Sequence, residues 1–221
     1  MPYQAVLFDL DGTLIDSLDD LAQATNRTLA QHGFPTHPTD AYKLFVGDGV
    51  RNLILRALPE AARSDPALVD RCLHTYAADY GTTWNAHTRL YPGIADMLDA
   101  LVTRGIHLTL LSNKPDVFTQ ACAREFLAKW HFDIVMGAQA SFPHKPDPSA
   151  ALDIAHRLNI APASFLYLGD TSTDMQTACN AGMFPVGVTW GFRSREELES
   201  SGAGRIITHP RELRYILDPQ S

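Results

Sequence analysis

The sequence predicts an α/β fold: a parallel sheet core interrupted, directly after its first strand, by an all-helical insertion. Three observations carry this. From about residue 91 onward, short apolar runs alternate with helical patterns, as strands joined by crossover helices do. Residues 16–87 keep an apolar spacing of three and four with no strand among them. A strand-like run, Ala-Val-Leu-Phe at residues 5–8, stands by itself in front of that block. The expected division is a core of 1–15 and 88–221 and a helical unit of 16–87.

The elements follow in order. Ala5 to Phe8 is continuously apolar, as a strand buried on both faces is. Asp9 and Asp11 come next at i and i+2, and Gly12 lets the chain turn. Side chains alternate along a strand, so the two acids share a side if the extension continues. Asp16-Ser17 offers a cap for a helix carrying Leu18, Leu21, Ala22, Thr25, Leu29 and Ala30. That helix stops near Gly33, with Pro35 beyond, and another runs from Asp40 through Phe45. Val46-Gly47-Asp48-Gly49-Val50-Arg51 reads as a glycine-bracketed loop. Leu53, Ile54 and Leu58 continue helically to Pro59, and 66–83 is helical again.

After Tyr91-Pro92-Gly93 the pattern predicts a helix ending at Gly105 and a strand over 106–111 that Ser112-Asn113-Lys114-Pro115 ends. A helix over 117–130 follows, then a strand over 133–137 and a helix over 148–158. The strand over 165–168 ends in Gly169-Asp170, and a helix over 174–181 closes at Gly182. Strands over 186–190 and at Ile206-Ile207 complete the set.

Composition excludes several classes of function. The chain has 221 residues, 45% of them hydrophobic, with a formal net charge of −7. That is enough apolar material for a packed core. The charge is the wrong sign for a nucleic-acid partner, and no basic run stands out. No stretch approaches the ~20 apolar residues of a membrane span. No basic-then-apolar leader precedes the first strand. Cys72, Cys122 and Cys179 lie far apart, without a Cys-x-x-Cys pair. They read as buried, reduced thiols of a cytoplasmic protein, with Cys179 in the core.

Parallel strands bring their C-terminal ends to one edge of a sheet. Asp9 and Asp11, Ser112 and Asn113, Asp170 and Asp174 all stand at such ends, and Lys145 sits between prolines. Asp9, Asp170 and Asp174 would supply hard oxygen ligands suited to Mg²⁺. Mg²⁺ and Lys145 would neutralise a phosphate dianion, and Ser112, Asn113 and backbone N–H groups would hold its remaining oxygens. One carboxylate can attack phosphorus, and a second can protonate the leaving oxygen and activate water. Taken singly, each piece has a plainer reading: a strand-end turn, a surface lysine, a capped loop. Their order and strand context join them.

Asp9-Leu-Asp11-Gly12-Thr13, Ser112, Lys145 and Gly169-Asp170…Asp174 resemble the four motifs of the haloacid dehalogenase superfamily, across nearly the whole chain. Asp16-Ser17, Gly47-Asp48-Gly49, Ser112-Asn113-Lys114-Pro115 and Val188-Thr-Trp190-Gly-Phe192 are similar to its phosphoglycolate phosphatase-like branch. The resemblance implies a Rossmann-like core with a helical cap after the first strand. It implies Asp9 as nucleophile and Asp11 as general acid/base. Mg²⁺ would be held by Asp9, the backbone carbonyl of Asp11, and Asp170, with Asp174 supporting. Thr13, Ser112, Asn113 and Lys145 would serve the phosphoryl group. In the cap, Gly47, Asp48, Gly49 and Arg51 would meet the substrate. Many relatives carry Gly-Asn-Gly where this chain has Gly47-Asp48-Gly49, and Arg51 would offset the extra carboxylate. Asp11 argues against a dehalogenase, since those relatives lack the second aspartate.

The expected activity is Mg²⁺-dependent hydrolysis of a small phosphate ester through an aspartyl-phosphate, by a monomer or homodimer. The alternatives are a phosphomutase acting on a sugar phosphate and a non-catalytic phosphate-binding regulator.

Overall fold

A computed structural model describes residues 3–218. The first strand, β1 (Ala5–Phe8), is buried along its whole length. Val6 and Phe8 enter one apolar cluster, Ala5 and Leu7 another. The strand thus feeds both faces of the sheet by alternation, which is why its sequence is apolar without a break.

The chain then leaves the core through β2 (Ile15–Asp16) and five helices: α1 (Leu18–Gln31), α2 (Tyr42–Phe45), α3 (Val50–Ala57), α4 (Glu60–Arg63) and α5 (Pro66–Thr83). It returns through β3 (Arg89–Leu90), which pairs antiparallel with β2, Ile15 opposite Leu90 and Asp16 opposite Arg89. This two-residue ribbon, too short to announce itself in the sequence, joins the helical insertion to the core. The helices bury a cluster of their own, including Leu29, Tyr42, Ile54, Val69 and Tyr80. Phe192, from a core loop, joins it, and Phe118 packs against it.

The remainder alternates: α6 (Ile94–Thr103), β4 (His107–Pro115), α7 (Asp116–Phe126), β5 (Ile134–Ala138), α8 (Ser149–Leu158), β6 (Phe165–Gly169), α9 (Ser172–Ala181), β7 (Phe184–Val188), α10 (Arg195–Ser200), β8 (Arg205–Ile207) and α11 (Leu213–Leu217). The six-stranded sheet runs β5-β4-β1-β6-β7-β8, and every pair in it is parallel. This is the expected α/β fold with its helical insertion. β1 lies between β4 and β6, so the chain crosses from one side of it to the other. The C-terminal edge at such a crossing is where open α/β sheets hold ligands. No helix among the described residues is long and apolar enough to cross a membrane.

Local expectations are corrected at four places. β4 does not stop at Ser112 but continues to Pro115, with a register shift against β5 between Leu111 and Pro115. Ser17 sits at the N-cap of α1 without capping it, because its hydroxyl donates to Asp11 instead, at 2.5 Å. Arg51 lies in α3, not in the preceding loop. Cys179 is exposed rather than core, while Cys72 and Cys122 are buried.

Candidate active site

Asp9 follows the last residue of β1, and its N–H still donates to Leu168 of β6, at 2.9 Å. The strand pairing therefore fixes its backbone. Its carboxylate is buried and accepts from Lys145 Nζ at 2.7 Å. The same ammonium reaches Asp174 Oδ1 at 2.7 Å and the Leu111 carbonyl at 3.1 Å. One lysine thus bridges the end of β1, the middle of β4 and the first turn of α9. Its backbone is held as firmly. Asn113 Oδ1 accepts from the Lys145 N–H at 2.9 Å, and Asn113 Nδ2 donates to the Lys145 carbonyl at 3.2 Å.

Asp170 stands at the end of β6. Thr13 Oγ1 donates to one of its oxygens at 3.1 Å and the Phe192 N–H to the other at 2.8 Å. Gly12 makes this fit possible. It has φ +90°, and a Cβ there would lie 2.2 Å from Asp170 Oδ2. Asp174 closes the group. Its Oδ2 accepts from the N–H and hydroxyl of Thr171, capping α9 reciprocally.

One oxygen each from Asp9, Asp170 and Asp174 lies within 4.8 Å of the other two. Three buried carboxylates therefore lie together, and the Lys145 ammonium meets two of them, Asp9 and Asp174. Burial pushes the Asp9 carboxyl up to about 7; Lys145 pulls it down and the charge of Asp174 adds to the rise. Burial, then the charges of Asp9 and Asp174, hold Asp170 well above the usual carboxylate range. Burial works against the Lys145 ammonium, but Asp174 and Asp9 outweigh it and keep its pKa well above the lysine norm. The excess negative charge and the hard oxygen donors fit a divalent cation such as Mg²⁺.

Above this floor lies a pocket lined by Asp9, Asp11, Ser112, Asn113, Lys145 and Asp174 from the core and by Gly47 and Gly49 from the insertion. Four expected roles change. Thr13 is fully buried and points at Asp170, so it orients that carboxylate and offers no hydroxyl to the pocket. The Asn113 amide is committed to Lys145 and to the Gly47 carbonyl, the latter at 3.1 Å. Asp48 turns away from the pocket. It pairs with Arg56 and accepts from Thr173 Oγ1 of α9 at 2.7 Å. Arg51 also faces outward and pairs with Asp70 at 2.8 Å, both half exposed. Arg193, from the loop after β7, donates to the Val46 carbonyl at 2.9 Å. The 46–49 loop is thus fastened to the core from three directions.

Sequence reasoning missed two groups that face the same pocket. Lys114 Nζ donates to both oxygens of Asp11, at 3.0 and 3.1 Å, and to the Tyr80 hydroxyl at 2.7 Å. Tyr80 stacks on Tyr76, with ring centroids 5.2 Å apart and planes 12° from parallel. A signal for Lys114 was present: Ser112 and Lys114 are i and i+2 and share a side once β4 continues. Ending the strand at Ser112 hid it.

Residues 6–188 match the family model of haloacid dehalogenase-like hydrolases. The chain is 33% identical over 211 residues to a phosphoglycolate phosphatase of Pseudomonas putida, covering 94% of this chain and 77% of that protein. It is 31% identical to the phosphoglycolate phosphatase of Nitrosospira multiformis, covering 100% and 98%. Among solved structures, a predicted phosphoglycolate phosphatase of Haemophilus somnus superposes with a TM-score of 0.91 at 26% identity, covering 98% and 99% of the two chains.

Proposed function

The chain belongs to the haloacid dehalogenase-like hydrolases, and from that premise we propose that it is a Mg²⁺-dependent phosphatase acting on a small phosphoglycolate-like ester. The observation that carries the reading is the junction of Asp9, Lys145, Asp170 and Asp174 at one sheet edge beneath a pocket that also holds Asp11. Asp9 is the nucleophile. Its free oxygen attacks phosphorus, the bond to the ester oxygen breaks, and Asp11 gives that oxygen a proton. Asp11 then takes a proton from the water that attacks the aspartyl-phosphate, which releases inorganic phosphate and restores both carboxyl groups.

Lys145 holds the Asp9 carboxylate in place and offsets phosphoryl charge. Ser112 faces the phosphoryl oxygens. Asp9, the Asp11 carbonyl and Asp170 would hold Mg²⁺, with Asp174 behind them. When bound, the ion supplies charge neutralisation at the phosphoryl group. Thr13 and the Phe192 N–H keep Asp170 aimed at that place.

The test is phosphate release from an aryl phosphate and from a panel of metabolite esters, with and without Mg²⁺, beside Asp9→Asn. Release that needs Mg²⁺ and vanishes in Asp9→Asn is expected. Isomerisation of a sugar phosphate without net phosphate release, or full activity in Asp9→Asn, refutes the reading.

A further inference from the structure

Lys114 is buried at the pocket wall, 4% exposed at the side chain, and none of the steps above uses it. Burial opposes its charge, but Asp11 and then Tyr80 hold its pKa well above the lysine norm. It is one of two cations lining the pocket. The other, Lys145, is already shared between Asp9 and Asp174. The same pocket is lined by the apolar Leu21, Val50, Leu53 and Phe118 and by Tyr76 and Tyr80. The Lys114 ammonium stands where core meets insertion, with Asp11 on one side and the α5 hydroxyl of Tyr80 on the other.

An ester whose far end carries a second anion meets there the pocket cation that answers one carboxylate, Asp11, where Lys145 answers two. We propose that Lys114 and the Tyr80 hydroxyl form the subsite that reads a carboxylate at the non-phosphate end of the substrate. This deepens the phosphatase reading and rests on it. One ammonium and one hydroxyl suit a single negative charge. A second phosphate would ask for more donors than this wall offers. The subsite also touches the chemistry. In the present arrangement Lys114 holds both oxygens of Asp11. A carboxylate that draws the ammonium toward itself leaves Asp11 held by Ser17 alone, with one oxygen open to the ester oxygen. No bond-making step is added.

The experiment compares kcat/KM for phosphoglycolate with that for its neutral amide, 2-phosphoglycolamide, in wild type, Lys114→Met and Tyr80→Phe. The wild type is expected to favour the acid. Lys114→Met is expected to cut the acid-to-amide ratio roughly ten- to hundredfold, as loss of a charge-assisted hydrogen bond does. Tyr80→Phe, which removes one oxygen, shifts the ratio the same way by less and covers the case in which Lys114→Met does not fold. Parallel losses on both esters, with the ratio unchanged, would mean a purely structural lysine and overturn the proposal. So would a wild type indifferent to the carboxylate, or one that prefers a bisphosphate, and in both cases phosphate release would leave the phosphatase reading standing. Release from none of these esters or the aryl phosphate would fall on the phosphatase reading itself.

Discussion

Replacing Lys145 with methionine keeps most of the side chain's volume and removes one charge. In the fold that charge answers Asp9 and Asp174, each at 2.7 Å, from a side chain only 3% exposed. Removing one partner of a buried pair costs about 3–5 kcal/mol, because the other is left uncompensated. For a chain of this length that lowers Tm by roughly 6–20 °C, at about 2–4 °C per kcal/mol. The pH dependence separates charge from packing. The Asp9 carboxyl titrates near 7 in the fold against an ordinary 3.8. Between those values the folded state binds more protons than the unfolded one, so stability falls as pH rises through that window. Lys145 is the charge that pulls Asp9 down, so its loss widens the window and steepens the fall. Urea unfolding of chelated protein at pH 4.5 and pH 8 measures this. The deficit of Lys145→Met is expected to be small at the lower pH and near its full value at the higher. Mg²⁺ should restore part of it, since the carboxylates then regain a counter-charge. An equal deficit at both pH values would refute the electrostatic account and leave only packing.

Three further perturbations test the remaining parts. Asp11→Asn keeps the nucleophile and loses proton transfer, so turnover should fall ~10²–10⁴-fold while an aryl phosphate with a good leaving group still labels Asp9; an unlabelled protein under quench conditions would contradict this. Asp170→Ala should raise the Mg²⁺ concentration for half-maximal activity or abolish activity, and Ca²⁺ should inhibit the wild type through its larger, less regular coordination; turnover surviving exhaustive chelation would end the metal assignment. Thr173→Val deletes the hydroxyl that reaches Asp48, at 2.7 Å, and should lower kcat/KM about tenfold by unfastening the 46–49 loop, since a hydrogen bond to a charged group contributes about 1.5–3 kcal/mol; unchanged kcat/KM would show that this contact does not hold the loop over the site.

The sequence alone determined the sheet, the helical insertion and the acids at the strand ends. Each is written in neighbouring residues: the unbroken apolar run of β1, the three-and-four spacing of α1 and α5, and Asp9 and Asp170 directly after or at the end of buried strands. What only the tertiary structure decided is where the polar side chains turn. Thr13 answers Asp170, and Asp48 answers Thr173, across more than a hundred residues of chain. Lys114 reaches the pocket because β4 runs on past its register shift instead of stopping. Arg51 was eligible for the substrate by type and place, yet Asp70 of α5 pairs with it on the exposed side of α3. Hydrophobic period is a local property that the chain carries with it. A hydrogen-bond partner is chosen only when distant segments arrive, because a buried polar group takes whichever complement the packing sets beside it.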